Sequence, residues 1–347
     1  MADLCLEISI LSFMPPRISL ITPSYQQQRF LGECLRSVQE QAGVEVEHIV
    51  VDGGSTDGSR EILTRASAGL AWWCCEPDRG QSHAINKGLQ HATGDVFGWL
   101  NSDDLLLPDA LWHVSRAFEA DASLLVYGGR RLIRSENGTR HVAPLDDPND
   151  PIRLFIAPEV NQQSTFYRLD ALRAVGGVDE ELRYVMDLDL WWRVLFTFGT
   201  DHLRFDQIDL AVFRLHGESK TMTSTRSFRD ETHVLLHGMA VATGQQDLAN
   251  VFAMGLRTTV RPRPMPVRLE HAPLVRRMAA YFLLKWHHVI HDRWQFEMMR
   301  AFIRTLDPKE SELETEQHGR LRSLQRQLGT YNWTTFRMRR KLQHLRG

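Results

Sequence analysis

The sequence predicts an α/β protein: a sheet covered by helices on both faces, followed by a helical C-terminal region. Three observations predict it. Short β-branched runs alternate with runs of helical apolar spacing over residues 17–100. Four strand-like runs each end in a loop rich in Gly, Ser, Thr or Asp, reading TPSY, DGGSTD, EPDRGQ and NSDD. Beyond about Ser227 strand signals stop and helical patterns run to the end.

In order along the chain, RISLIT (residues 17–22) is the first strand, and the turn-rich PSY follows. Residues 29–41 put Phe30, Leu31, Cys34, Leu35 and Val38 at helical spacing. EVEHIVV (residues 45–51) is a buried strand, after which Ser55 and Thr56 are candidate caps for a helix through REILTRA. A third strand runs through LAWWCC, a helix through SHAINKGLQHA, and a fourth strand through DVFGWL. LLLPDAL, directly after NSDD, reads as a helix start. Residues 123–133 are β-rich, with Asn137-Gly138 as a hairpin signal. After a Pro- and Asp-rich connection at residues 146–158 come NQQSTFYR, GGVDEELRYVMDLDLWWRVLF and AVFRLHGESKT. RPRPMPVRLEHAP, with four prolines, marks a linker or boundary between later helices.

At 347 residues the chain has room for about two domains, and 43% hydrophobic with 24% charged residues excludes a disordered or collagen-like chain. A net charge of -2 excludes a strong global positive field but leaves room for a local basic patch. Four cysteines, two of them the adjacent Cys74 and Cys75, form no disulfide framework, so a reduced, cytoplasmic setting is expected. The vicinal pair has no partners at zinc-site spacing and reads as buried and inert. The opening MADLCLEISILSF lacks a basic n-region and carries Asp3 and Glu7, so it is a poor signal peptide. The expected division is an extension at 1–16, a catalytic domain at 17–243 and a helical region with a basic tail at 244–347.

Open α/β sheets bind ligands beyond the carboxyl ends of their strands, and four polar exits on one edge make that edge the expected site. Carboxylates at the end of a buried strand are costly unless paired, solvated or metal-bound. Asp103 and Asp104 are either turn and cap residues or hard oxygen ligands suited to Mg²⁺ or Mn²⁺ held jointly with phosphates.

PRISLITPSYQQQRFLGECLRSVQEQ, VVDGGSTDGS and EPDRGQSHAINKGLQHATGDVFGWLNSDD together resemble the nucleotide-sugar half of a family 2 glycosyltransferase. RYVMDLDLWWR is similar to that family's acceptor-side acidic motif. The resemblance spans about two thirds of the chain, residues 17–221. It implies a GT-A fold, a Rossmann-like nucleotide-binding mixed sheet flanked by helices, here with an α-helical C-terminal extension. It further implies inverting, metal-dependent sugar transfer from a nucleotide diphosphate donor, UDP- or GDP-linked. On the matching positions it makes Asp104 the direct ligand of Mn²⁺ or Mg²⁺ and gives Asp103 to the ribose or a second metal position. Asn101 takes the first place of the Asp-x-Asp pattern, with Ser102 between. Thr22, Pro23, Ser24 and Tyr25 are placed at base and ribose, with Tyr25 stacking on or flanking the base. Asp52 accepts from a base N–H, and Asn86 is assigned to the donor.

Several positions depart from the family pattern or stay open. Gly53 follows Asp52 where relatives often carry a second acid, Ile85 precedes Asn86 where they carry Arg, and Met186 stands where they carry Glu. Arg79 is either a phosphate or sugar ligand or an exposed loop residue, and Arg79 or Lys87 is the substitute for the missing Arg. Asp57 reads as a helix cap. An inverting transfer needs a carboxylate to deprotonate the acceptor hydroxyl, and Asp187 falls on that position. Asp189 reads as a cap or a partner of Arg193. Gln162, Gln163 and Trp191 are the acceptor-side candidates, Trp191 as a sugar platform or as a buried aromatic. His216, in RLHGESKT, is a structural histidine or a metal ligand, with Lys220 as a phosphate clamp in the latter case.

From His318 onward there are eight Arg or Lys and no acid, interleaved with Tyr331, Trp333 and Phe336. Such a tail is either a solvated appendage or a peripheral contact to the inner face of an anionic membrane, which would suit a glycan or lipid-linked acceptor. No nucleic-acid module accompanies it, so no nucleic-acid partner is expected. The competing functions are a nucleotidyltransferase on a similar sheet and a non-catalytic scaffold using the basic tail.

Overall fold

The computed structural model describes residues 15–136, 138–142, 151–158, 160–217, 219–287, 290–306 and 315–344. In chain order the first half holds β1 (Ile18–Ser24), α1 (Gln28–Gln39), β2 (Val46–Asp52), α2 (Ser59–Ala66), β3 (Trp72–Cys75), α3 (Gln81–Leu89), β4 (Val96–Trp99), β5 (Leu105–Leu106), α4 (Ala110–Ala120), β6 (Val126–Ser135) and β7 (Gly138–Val142). There follow α5 (Arg153–Ile156), β8 (Thr165–Arg168), α6 (Leu169–Ala174), α7 (Met186–Phe198), β9 (Leu203–Arg214) and α8 (Lys220–Thr223). The remainder is helical: α9 (Thr225–Ala242), α10 (Gln246–Ala253), α11 (Ala272–Trp286), α12 (Arg293–Thr305), α13 (Thr315–Thr330) and α14 (Trp333–His344). These elements fall into two compact units, one drawn from residues 1–144, 161–178 and 201–216, the other from 145–160, 179–200 and 217–347.

The first unit holds the whole sheet, ordered β3-β2-β1-β4-β8-β6-β9-β5, with β7 paired to the far half of β6. β3, β2, β1 and β4 are mutually parallel, so their C-terminal ends share one edge, as the strand–helix alternation requires. β1 is central and buried over its whole length, while α1 turns Leu31, Cys34, Leu35 and Val38 inward. β8 and β7 run antiparallel to their neighbours and make the sheet mixed. The hairpin expected at Asn137-Gly138 closes β6 onto β7 with Gly138 at φ 116, although Asn137 lies outside the described residues.

Two local expectations are corrected. LLLPDAL opens with strand rather than helix: Leu105 and Leu106 pair antiparallel with Val212 and Ala211 of β9, and α4 starts at Ala110. Ser55 and Thr56 do not cap α2: Gly58 stands at the cap position, and Asp57 before it serves the first turn, its Oδ1 accepting the Ser59 N–H and hydroxyl while Oδ2 accepts the N–H of Gln28 at the start of α1. One carboxylate thus ties together the first turns of two helices. Burial opposes its ionisation, but the bonds from Gln28 and Ser59 outweigh it and hold Asp57 below the ordinary carboxylate range.

The second unit is helical among the described residues, with α7 buried through Leu190, Trp191, Trp192, Val194 and Leu195. α13 turns Leu321, Leu324 and Leu328 inward and leaves Arg322 and Arg326 exposed. Its apolar face is therefore spent on the unit's own core, and only the basic face remains outward. No helix among the described residues is long and apolar enough to cross a membrane.

Buried in this unit, His233 Nε2 and His287 Nε2 lie 2.8 Å apart among Phe252, Phe282 and Trp294. Both Nδ1 atoms are buried without a hydrogen-bond partner among the described residues. Burial holds the pair neutral and pushes His233 down to about 3 and His287 down to about 2. The unfolded chain then binds the extra protons first. Stability is full above the ordinary value of 6.5 and is lost as pH falls towards these folded values, at about 1.4 kcal/mol per pH unit for each proton taken up. Urea unfolding midpoints between pH 7 and 5 are expected to fall along that slope, and His287→Gln is expected to flatten it.

Candidate active site

The first unit brings the four polar exits to the C-terminal edge of β3, β2, β1 and β4. At the end of β1, Thr22 and Ser24 are buried and Tyr25 is 62% exposed. Thr22 Oγ1 meets His48 Nε2 at 2.9 Å, and Ser24 Oγ is buried without a partner among the described residues. Pro23 is buried in the strand, opposite Val51 of β2. Gln26 takes a φ of 54, and its N–H donates to Ser55 Oγ at 2.7 Å.

Asp52, at the end of β2, is fully buried. Its Oδ1 accepts the N–H groups of Gly54 and Ser55 and the Cys75 thiol, and its Oδ2 accepts the Ser55 hydroxyl. In this conformation the carboxylate shapes the loop, and a nucleobase N–H would share an oxygen already used. At Gly53 a Cβ would lie 2.9 Å from Asp78 Oδ2 and 3.2 Å from Tyr25 Cδ2, so a side chain there requires these two side chains to shift. A second acid after Asp52 would stand beside the Asp78 carboxylate that β3's exit already supplies. Asp78 also accepts the Gly80 N–H at 2.7 Å, and Arg79 beside it is exposed. Lys87 pairs with Glu76. Asn86 holds a peptide turn, donating to the Val178 carbonyl at 2.8 Å and accepting its N–H at 3.1 Å.

The chemistry concentrates at the end of β4. Ser102 is buried in the turn. Asn101 accepts from Gln81 Nε2 at 2.6 Å and donates to Gln162 Oε1 at 3.2 Å, while Gln162 Nε2 donates to the Trp99 carbonyl at 2.5 Å. Asp104 is fully buried; its Oδ1 accepts the Arg214 N–H at 3.1 Å and its Oδ2 faces the Asn101 amide at 3.4 Å. Burial, with Asp103 next to it, pushes its carboxyl well up, and the hydrogen bonds from Gln163 and Arg214 oppose this only in part. Gln163 also meets Arg131 at 3.5 Å.

Asp103 is placed differently. Its side chain is partly exposed, and its Oδ2 lies 3.1 Å from His216 Nε2, two residues past the end of β9. His216 stacks against Phe30 at 4.7 Å. Arg214 braces the arrangement, its guanidinium bonding the Asp103 carbonyl, Glu33 and the Phe30 carbonyl and covering the Phe30 ring at 4.8 Å. The carboxylate that meets His216 belongs to Asp103, while Asp104, the expected metal ligand, accepts the Arg214 N–H and is fully buried.

A carboxylate oxygen suits Mn²⁺ or Mg²⁺, whereas an imidazole nitrogen beside it favours Mn²⁺ over the oxygen-seeking Mg²⁺, so the pair fits Mn²⁺ better than Mg²⁺. Among the described residues no group of three or more His, Cys, Asp or Glu forms a metal cage. One or two protein ligands are what such cations take when substrate phosphates complete the shell.

Asp187, on α7, belongs to the second unit, where it is half-buried and its Oδ1 accepts the Leu188 N–H at 2.8 Å. Asp189 is fully buried and held by Arg193 at 2.6 and 2.8 Å, the partner role rather than the cap, since Val185 stands at the cap position. Trp191 is only 4% exposed and donates its indole N–H to the Leu154 carbonyl, so its faces pack in the core and offer no sugar platform. Trp192 does the same towards Phe155. Gln162 and Gln163 serve the acidic turn of the first unit in place of an open acceptor surface. Arg131, Gln81 and Glu33 were missed by the motif reading. Of these only Gln81, the last residue of the EPDRGQ exit, carried a local signal.

A mixed α/β sheet with polar loops at the carboxyl edge of its parallel strands places a ligand-binding crevice at that edge. Residues 19–175 match the family described as Glycosyl transferase family 2, and the chain carries a domain of that family. An uncharacterized glycosyltransferase of Rickettsia typhi is 25% identical over 241 residues, 67% of this chain and 74% of that protein. An uncharacterized glycosyltransferase of Mycobacterium tuberculosis is 31% identical over 179 residues, 50% of this chain and 66% of that protein. The crystal structure of S. aureus TarS 1-349 in complex with UDP-GlcNAc aligns at a TM-score of 0.60 with 15% identity, covering 90% of both chains. That likeness shows the GT-A fold. Against a longer TarS chain the match covers 54% of that chain.

Proposed function

We propose that this glycosyltransferase moves a hexose from a UDP- or GDP-linked donor to a hydroxyl of a glycan or lipid-linked acceptor, with inversion, in polysaccharide or envelope glycan synthesis. The observation that carries the reading is the Asp103–His216 pair at 3.1 Å on the strand-exit edge. Asp103 and His216 would hold Mn²⁺, or Asp103 alone Mg²⁺, and the bound cation would neutralise charge on the leaving diphosphate. Tyr25, Ser24 and Asp78 line the end where base and ribose are assigned. Asp104, Asn101 and Gln162 fix the turn that presents Asp103. Asp187 takes the proton of the acceptor hydroxyl, whose oxygen bonds to the anomeric carbon as the bond from that carbon to the diphosphate oxygen breaks. TarS 1-349, crystallised in complex with UDP-GlcNAc, suggests the first donor to try.

The exposed Arg322, Arg326, Arg337 and Arg339 are assigned a peripheral contact with an anionic membrane surface, electrostatic in origin because the apolar face of α13 is buried. Thermal-shift titration against UDP- and GDP-sugars with Mn²⁺ or Mg²⁺ tests the donor, since a ligand at 100 times its Kd stabilises by about 2.7 kcal/mol. Turnover is expected to release nucleoside diphosphate. Pyrophosphate release from a nucleoside triphosphate would make the chain a nucleotidyltransferase instead.

A further inference from the structure

The helix that carries Asp187 begins without a cap of its own. Val185 stands at the cap position of α7 and supplies no side-chain acceptor. A carboxylate from elsewhere in the second unit instead holds the three peptides that lead into it. Glu231, near the middle of α9, is 4% exposed, and its Oε2 accepts the N–H groups of Tyr184 at 2.8 Å, Val185 at 3.1 Å and Arg183 at 3.2 Å. Its Oε1 accepts the Arg183 N–H as well, at 3.1 Å. A carboxylate buried to this degree is costly unless hydrogen bonds replace its water, and three consecutive backbone amides do so here. The other side of the same segment is held too. Lys220 Nζ donates to the Arg183 carbonyl at 3.2 Å, and the Tyr184 ring packs edge-on against Phe228 at 5.4 Å.

We infer that Glu231 is a positioning residue for Asp187: it fixes the peptides of residues 183–185 and thereby the start of α7 and the direction of the Asp187 carboxylate two residues on. The inference rests on the reading of Asp187 as the base. A base must lie within hydrogen-bond reach of the proton it removes, and displacement by about 1 Å costs about 10²-fold in rate. Glu231 does not touch the reacting atoms; it acts through the backbone.

The test combines a structural readout with a double-mutant cycle on the full chain. In wild type the amides of Arg183, Tyr184 and Val185 are expected to be protected from hydrogen exchange, and Glu231→Gln, which leaves one carbonyl oxygen for three donors, is expected to release them. With the UDP- or GDP-sugar that wild type turns over in Mn²⁺, Glu231→Gln is expected to lower kcat about 10²-fold with donor Kd within twofold. Glu231→Asp is expected to recover part of the loss, and it serves as the test variant if the glutamine form does not fold. In an Asp187→Asn background, Glu231→Gln is expected to cost nothing further. Equal cost in both backgrounds would overturn the positioning role while leaving Asp187 as base. Full turnover by Asp187→Asn alone would overturn the base reading and this inference with it.

Discussion

Asp103→Ala is expected to abolish cation-dependent donor binding and to lower turnover by about 10²–10³-fold, the scale of losing one preorganised electrostatic partner of a developing negative charge. The expectation follows from placement. Asp103 Oδ2 is partly exposed and shares its position with His216, whereas Asp104 is fully buried with one oxygen on the Arg214 N–H. Asp104→Asn keeps an acceptor for that N–H and the shape of the turn, so it is expected to weaken cation affinity about 10–100-fold, as removal of an outer-shell partner does. His216→Ala is expected to reduce Mn²⁺ affinity without unfolding the unit. Isothermal titration with Mn²⁺ and UDP or GDP, wild type against the three variants, ranks them directly. Full cation-dependent binding by Asp103→Ala, with Asp104→Asn inert, would restore Asp104 as the ligand and remove the Asp103–His216 site.

The sequence carried the sheet edge but not the rank of the two aspartates. The parallel strands were legible because each is a short apolar run closed by turn chemistry, and both signals are local. Which of two adjacent carboxylates faces outward depends on a partner far along the chain, the Arg214 N–H delivered by β9, and no spacing within NSDD encodes it. The same strand hid β5: Leu105 and Leu106 are strand only because Ala211 and Val212 pair with them, and alone they read as the start of a helix. Gly53 shows the opposite case. Its departure from the family pattern looked like a lost acid, and the structure brings the Asp78 carboxylate beside the position where that acid would stand. Glu231 was illegible because its partners are backbone amides, which leave no mark in a sequence.

Two acids on α7 lie two residues apart, and that spacing separates their functions. Side chains two positions apart on a helix point about 200° from each other, so Asp187 and Asp189 cannot share a face. Asp189 is fully buried, where burial raises its carboxyl and Arg193 offsets part of that. Breaking such a pair removes the carboxylate charge beside the buried Arg193, and Asp189→Asn is expected to cost about 3–5 kcal/mol of stability. Asp187 is half-buried rather than fully buried, and asparagine keeps an oxygen for the Leu188 N–H, so the same change there is expected to cost less stability. Its expected cost is chemical: Asp187→Asn removes the acceptor of the hydroxyl proton and should lower kcat about 10²–10⁴-fold with donor affinity unchanged. Urea unfolding and steady-state release of nucleoside diphosphate, measured on both variants, separate the two roles. Turnover surviving in Asp187→Asn while a stable Asp189→Asn lost it would exchange the assignments and move the base to the buried residue.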